Sequence, residues 1–143
     1  MKRILLLAVA AVLSMSVSAC QDNTSPGAVL AGTYTLRSVN NHSVPVIIDG
    51  DPDGITEVVG GYIRIDRNGN YTDVATLRYT PTGGVPGQPY DDVINGTWAL
   101  SGDQLQLTDV TDPYNPYYMT VSGNNLIYND YASGTSYTIV YSK

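Results

Sequence analysis

From Gly32 onward, the chain alternates between apolar and polar residues with a period of two. At the start of this region, Tyr34 and Leu36 share one face, and Thr33 and Thr35 lie on the other. Further strands are predicted over the short apolar run 44–48 and over 55–66, 71–79, 92–100, 104–108, 117–122, 126–129 and 135–142. Such alternation is typical of half-buried β-strands, and no segment of this region has a helical period of useful length. The pattern therefore predicts about eight to ten short strands.

Turn signals separate these strands. Asn68-Gly69 is the strongest short hairpin signal in the chain, and Gly60-Gly61 predicts a bulge within the segment 55–66. Longer loops are predicted over 49–54, 81–89 and 112–116. Because short links force antiparallel neighbours, and a long meander closes on itself to remove its edges, we predict an all-β fold. The expected architecture is one antiparallel, up-and-down β-barrel over residues 30–143.

The first part of the chain has a different character. Lys2 and Arg3 precede an unbroken apolar run over 4–13, and small residues follow as far as Ala19. This is the layout of a secretory signal peptide, and the run is too short for a transmembrane helix, which needs about 20 residues. We expect residues 1–19 to be a signal peptide and residues 20–29 to be a flexible tether, because polar residues, Pro26 and Gly27 dominate there.

The segment Val17-Ser18-Ala19-Cys20 resembles the lipobox of bacterial lipoproteins. In that family the cysteine thiol is alkylated by a diacylglycerol, the chain is cut before the cysteine, and the new amine is acylated. The resemblance implies a membrane contact through a lipid on Cys20 and a cell-envelope location. Gln21 rather than Asp follows the cysteine, which favours the outer membrane if the source has two. The alternative is ordinary cleavage near Ala19, with Cys20 unmodified.

Composition and charge narrow the classes of partner. Without residues 1–19 the chain would retain five basic and thirteen acidic residues, a formal charge of −8. Such a surface repels nucleic acid and anionic lipid headgroups, so we predict no nucleic-acid partner. Cys20 is the only cysteine, which excludes an internal disulfide. Abundant Tyr, Thr, Asn and Gly with scarce Glu and Lys agree with a turn-rich β protein.

Three segments are similar to small bacterial lipocalin-like lipoproteins. They are residues 30–40, Ile63-Arg64-Ile65-Asp66 before Asn68-Gly69, and Gly96-Thr97-Trp98 before Ser101-Gly102-Asp103. Lipocalins proper carry Gly-x-Trp on the first strand and a late Arg over that Trp. Here Gly32-Thr33-Tyr34 is a weakened form of the first feature, and the last strand offers only Lys143. The resemblance implies a calycin-type barrel with a central cavity, no fixed ligand and no catalytic residues.

The candidate ligand-binding residues are Tyr34, Tyr71, Asp73 and Trp98. Asp73 shares a strand face with Tyr71, so if that face is the interior, a carboxylate stands beside the cavity and can orient a ligand. The alternative places Asp73 at a wet barrel mouth, or on a bulge that turns it outward. Trp98 is expected either in the core or on the cavity wall.

A second cluster of candidates lies beside Pro113 and Pro116. Tyr114, Tyr117 and Tyr118 crowd this loop, and an aromatic patch of this kind can contact a partner or stack on a sugar. The alternative is that these tyrosines cap one end of the barrel.

The sequence contains few residues that would favour a metal site or a catalytic site. Asp49, Asp51 and Asp53 match the first half of a calcium loop, but Gly60 stands where the bidentate Glu belongs, which favours a solvated turn over weak calcium binding. His42 is the only histidine, and the chain has no Gly-x-Ser-x-Gly segment. We therefore expect no cofactor, no metal site and no enzymatic activity.

Together these features predict a lipid-anchored envelope protein whose barrel binds a small apolar or aromatic ligand. The alternative is a structural or interaction lipoprotein whose barrel is filled by its own side chains and whose tyrosine loop contacts a partner. Cavity size distinguishes the two functions. A void above about 300 Å³ favours binding, and a core packed to a density of about 0.74 favours the alternative.

Overall fold

The computed structural model describes residues 26–132 and 135–143. The predicted signal peptide, the lipobox-like segment and Cys20 lie outside the described residues. In the described part, one short helix precedes ten strands. They are α1 Pro26–Leu30, β1 Gly32–Val39, β2 His42–Ser43, β3 Val46–Asp51, β4 Gly54–Ile65, β5 Asn70–Pro81, β6 Tyr90–Ser101, β7 Gln104–Asp109, β8 Tyr117–Ser122, β9 Asn125–Ala132 and β10 Thr135–Ser142.

The strands form a closed antiparallel barrel. Strands β4 to β10 pair in sequence order, and β1 pairs with both β10 and β4. This double pairing closes a ring of eight strands. Two further strands extend the sheet outside the ring, because β2 pairs with β1 and β3 pairs with β4. The predicted all-β, up-and-down barrel is confirmed.

Two glycine-containing signals in the sequence are confirmed. The β4–β5 hairpin turns through Asn68-Gly69, where Gly69 has a φ of 89° and the Asp66 amide donates to the Asn70 carbonyl at 2.9 Å. The β4–β5 register shifts between Val58 and Gly60, so the glycine pair does mark a bulge. A Cβ on Gly61 would lie 2.5 Å from the Val74 carbonyl oxygen, which explains why this position is glycine.

The two ends of the barrel differ in their connections. Short turns over 66–69, 102–103 and 123–124 join the strands at one end, which helix α1 also covers. We call this the closed end. The longer connections over 40–53, 82–89 and 110–116 all lie at the other end, which we call the open end.

The hydrophobic core is concentrated in the closed half. Its most deeply buried side chains alternate with less buried ones along their strands, and each is at most 1% exposed: Tyr34, Ile63, Ile65, Tyr71, Leu105, Leu107 and Leu126. Burial of a large apolar side chain contributes about 1.5–3 kcal/mol to folding. The closed half therefore supplies much of the stability of the barrel.

Helix α1 seals the closed end. Leu30 is buried, and its carbonyl accepts a hydrogen bond from the Tyr34 hydroxyl at 2.8 Å. The Lys143 ammonium donates to the Val29 carbonyl at 2.9 Å. Residues 26–29, predicted as the end of the tether, are thus held against the barrel. The reason is that apolar Leu30 fills the space between the strand ends.

A cation and two aromatic residues complete this seal. The Lys143 ammonium lies 4.9 Å from the centre of the Tyr34 ring, within the range of a cation–π interaction. The pair stands where the lipocalin resemblance implies an Arg over a Trp. The Trp98 indole donates to the Asp66 carbonyl at 2.9 Å, which fixes the hairpin turn to β6.

We expect Leu105→Ala to lower the free energy of unfolding by about 2–5 kcal/mol, because it leaves a cavity in the packed closed half. The matched control is Ile47→Ala on β3, where the side chain is 57% exposed. This control should change stability by no more than about 0.5 kcal/mol. Urea denaturation measures both values, and similar losses in the two variants would contradict this location of the core.

Candidate functional site

The open half of the barrel contains two adjoining pockets. The larger has a volume of about 400 Å³ and the smaller about 270 Å³, and Tyr128, Ile139 and Tyr141 border both. The other residues around the larger pocket are mainly aliphatic: Leu36, Val39, Ile48, Val58, Ala75, Leu77 and Tyr137. Those around the smaller pocket include the one carboxylate in either lining: Asp73, Ile94, Tyr117 and Met119.

This half is hollow because part of its wall carries little side-chain volume. Ala75 on β5 pairs with Gly61 on β4, so a methyl group and a hydrogen atom face each other across the ladder. In the closed half, by contrast, leucine, isoleucine and tyrosine side chains meet across the barrel. The same strands therefore form a packed core at one end and a lined cavity at the other.

Asp73 is the polar centre of the smaller pocket. It lies between Ile63 and Ile94 of the neighbouring strands. The Tyr117 hydroxyl donates a hydrogen bond to Asp73 Oδ2 at 3.1 Å. The other carboxylate oxygen, Oδ1, is buried and has no partner at hydrogen-bond geometry, although the Val74 backbone amide lies close enough to lower the pKa of the carboxyl group. One acceptor therefore remains available inside an otherwise apolar cavity.

Burial dominates the electrostatics of this site. Burial raises the pKa of Asp73 to about 6, the hydrogen bond from Tyr117 opposes the rise, and the nearby Asp92 adds to it. Burial also raises the pKa of Tyr117, and the negative charge of Asp73 raises it further. Tyr117 therefore keeps its proton and remains a hydrogen-bond donor, and Asp73 changes charge in the mildly acidic range.

Three tyrosine rings form a row beside the carboxylate. Tyr71 and Tyr117 meet edge to face with their ring centres 6.2 Å apart, and Tyr117 and Tyr128 do so at 5.8 Å. This geometry is the favoured one for aromatic pairs. It fixes the position of the Tyr117 hydroxyl and places aromatic rings on the wall next to Asp73.

Comparison with known proteins agrees with this architecture. A family model described as a lipocalin-like domain matches residues 30–128. The chain belongs to the lipocalin-like domain family. Searches of curated proteins and of solved structures found no match to this chain. The predicted lipocalin-like resemblance is confirmed, and lipocalin-like domains typically bind molecules rather than catalyse reactions.

The four candidate ligand-binding residues lie in two different regions of this lipocalin-like barrel. Asp73 borders the smaller open-half pocket, and Tyr71 is buried beside Tyr117. Tyr34 and Trp98 instead lie in the closed half, where their hydrogen bonds hold α1 and the β4–β5 turn. Tyr34 borders a separate pocket of about 230 Å³ at the closed end. The structure therefore brings Tyr71 and Asp73 together and separates them from Tyr34 and Trp98.

The three candidate partner-contact residues do not form one patch. Tyr114 is 91% exposed in the loop over 110–116, and Tyr118 is partly exposed on the outer face of the barrel. Tyr117 points inward to Asp73. The reason is that Tyr117 and Tyr118 are consecutive residues of β8, and consecutive side chains of a strand point to opposite faces.

The predicted loop over 49–54 is wrong in its bounds, because Asp49 and Asp51 belong to strand β3 and only residues 52–53 form the turn to β4. Asp49 Oδ1 accepts a hydrogen bond from the Gly50 amide at 2.9 Å, and Asp51 Oδ1 accepts from the Asp53 and Gly54 amides at 2.8 and 2.9 Å. Among residues 26–132 and 135–143, no group of three His, Cys, Asp or Glu side chains converges as a metal site would require. Over the same residues, no helix has the length and apolar character needed to span a membrane.

Sequence reasoning missed most of the cavity wall of the lipocalin-like domain. Tyr128, Tyr137, Ile139 and Tyr141 border the pockets, and none of them was among the candidate residues. The alternation along β9 and β10 was the available signal. It places Tyr128 on the same face as buried Leu126, and Tyr137 and Ile139 on the same face as Tyr141.

The raised pKa of Asp73 predicts a specific dependence of stability on pH. Because this pKa of about 6 exceeds the ordinary value of 3.8, the folded state retains a proton that the unfolded chain has lost. The free energy of unfolding should therefore fall as pH rises from about 4 to about 6. We expect Asp73→Asn to remove this fall and to be about 1–3 kcal/mol more stable than the parent protein at pH 8.

Urea denaturation between pH 4 and 8 measures this effect. Asp103→Asn, an exposed substitution in the turn between β6 and β7, is the matched control and should retain the parental profile. The account of Asp73 is contradicted if Asp73→Asn retains that profile as well.

Proposed function

We propose that this chain is a lipid-anchored binding protein of the cell envelope that holds a small, largely apolar molecule in the open half of its barrel. The observation that carries the proposal is the pocket of about 400 Å³ lined mainly by aliphatic side chains. Ligand sites typically occupy about 300–1,000 Å³ and combine an apolar lining with a few polar groups. The adjoining pocket of about 270 Å³ adds such a polar group in Asp73.

The distribution of packing supports binding over a purely structural role. The core of the closed half, around Leu105, Leu107 and Leu126, is filled by its own side chains and provides a rigid floor, whereas the two larger pockets lie in the open half. In the alternative function, an interaction lipoprotein, the pockets would be collapsed in solution, and the exposed Tyr114 would contact a partner. The proposed role is non-catalytic, in keeping with the lipocalin-like family.

The proposed anchor sets the orientation of the pocket. Cys20 precedes Pro26 by six residues, which can span at most about 20 Å at about 3.3–3.6 Å per residue. Helix α1, which begins at Pro26, lies at the closed end. A lipid on Cys20 would therefore hold the closed end towards the bilayer and leave the open end facing the aqueous phase. In this arrangement the ligand enters from water rather than from the membrane.

Titration with the fluorescent probe N-phenyl-1-naphthylamine tests for the apolar pocket. We expect the parent protein to bind the probe, and Ala75→Phe to weaken binding by about tenfold or more, because the phenyl ring occupies the larger pocket. Val93→Phe is the matched control, because Val93 is half-exposed on the outer face of β6. It should leave the affinity unchanged.

Two results would contradict the pocket. One is a parent protein that does not bind the probe, and the other is an equal loss of affinity in the two phenylalanine variants. Native mass spectrometry of the protein purified from its own host would then identify any molecule that the barrel retains.

The lipid anchor predicts a change in cellular fractionation. We expect Cys20→Ser to move the protein from the membrane fraction to the soluble fraction of its own host, because the residue that would carry the lipid is lost. Asp22→Asn keeps the cysteine and serves as the control, which should remain with the membranes. Persistence of Cys20→Ser in the membrane fraction after export would contradict anchoring at this residue.

A further inference from the structure

We propose that the ligand of this barrel carries a cationic nitrogen, such as a protonated amine, which binds against Asp73 and the rings of Tyr117 and Tyr128. The inference rests on the proposed binding function and specifies the class of ligand. The cationic group would lie in the smaller pocket, and its apolar body would extend into the larger one.

The hydrogen bonding of Asp73 is incomplete. Tyr117 satisfies Oδ2 at 3.1 Å, whereas Oδ1 is buried without a partner at hydrogen-bond geometry. The hydroxyl of Tyr71, a residue that is 1% exposed, is also without a partner at hydrogen-bond geometry, although Tyr117 lies against its ring. A buried carboxylate oxygen is costly when it is unpaired. A donor on the ligand would remove this cost.

No basic side chain among the described residues neutralises this carboxylate. Two arginines are already paired with other carboxylates: Arg78 with Glu57 at 2.9 Å, and Arg64 with Asp66 at 3.4 Å. Lys143 lies over the Tyr34 ring at the closed end. Arg37, His42 and Arg67 are exposed. The positive charge that would pair with Asp73 must therefore come from outside this part of the chain.

The charged side chains that act on this pocket are negative. Asp92 lies close enough to raise the pKa of Asp73, and Asp109 close enough to raise that of Tyr71. These carboxylates disfavour a ligand that carries a carboxylate or phosphate and favour a cation. A neutral alcohol would satisfy the free oxygen but would gain less, because a charge-assisted hydrogen bond is about twice as strong as a neutral one.

Aromatic rings form part of the pocket wall beside Asp73. Tyr117 and Tyr128 border the same pocket as Asp73 and meet edge to face at 5.8 Å. Aromatic rings attract a cation through their negative faces, and this attraction increases when the cation is removed from water. A carboxylate beside tyrosine rings therefore suits an ammonium group, whereas the aliphatic lining of the larger pocket suits its hydrocarbon body.

Three probes of similar shape test this inference: 2-phenylethylamine, 2-phenylethanol and 3-phenylpropanoate. Isothermal titration calorimetry with the purified full chain at pH 8 measures their affinities, with Asp73 ionised because its pKa is about 6. We expect the amine to bind about tenfold or more tightly than the alcohol, and the propanoate to bind most weakly. In Asp73→Asn the amine and the alcohol should bind equally, whereas Asp103→Asn should retain the preference.

The outcomes separate the charge of the ligand from the existence of the pocket. Equal affinities for the three probes, or tighter binding of the alcohol or the propanoate, would overturn the cationic ligand and leave the binding function standing. Failure of all three probes, with N-phenyl-1-naphthylamine still bound, would also overturn the cationic ligand alone. Failure of all four would overturn both. A preference for the amine that survives in Asp73→Asn would overturn the role of this carboxylate.

Discussion

The pairing of strand β1 with both β10 and β4 is the interaction on which the rest of the structure depends. Residues 32–35 pair with residues 62–65, and residues 35–39 pair with residues 139–142. A single short strand thus completes a ring that would otherwise end in two exposed edges. Because the ring is closed, every second side chain of each strand points into one enclosed space, which can be filled or left hollow.

The core of the closed half fills its part of this space with side chains, and the open half leaves its part hollow. In the closed half, Leu105, Leu107 and Leu126 pack beneath helix α1, and Lys143 and Tyr34 hold the helix in place. This packing stabilises the barrel well enough for the open half to retain two pockets and a buried carboxylate that opposes folding when it is ionised. The proposed site is therefore supported by a region that takes no part in binding.

The strands and the barrel could be predicted because alternation and turn chemistry are local properties of the sequence. Alternation also placed Asp73 on the face of Tyr71, but the direction of that face and the partnership with Tyr117, 44 residues away, depend on closure of the ring. Helix α1 was missed because five residues with Pro26 and Gly27 carry no helical period, and its stability comes from tertiary contacts, namely the burial of Leu30 and the hydrogen bonds from Tyr34 and Lys143. The separation of Tyr34 and Trp98 from the two open-half pockets is likewise a tertiary property. Both residues face inward, as the pocket residues do, and they differ from the pocket residues only in lying nearer the closed end.

The central claim, a closed barrel that is packed at one end and hollow at the other, can be tested by a crystal structure under xenon pressure. Xenon occupies apolar cavities without requiring a polar partner. The account predicts xenon in the open half, beside Ile139 and Tyr141, and none between Leu105 and Leu126. An open half without xenon, filled by the side chains that now border it, would contradict the account.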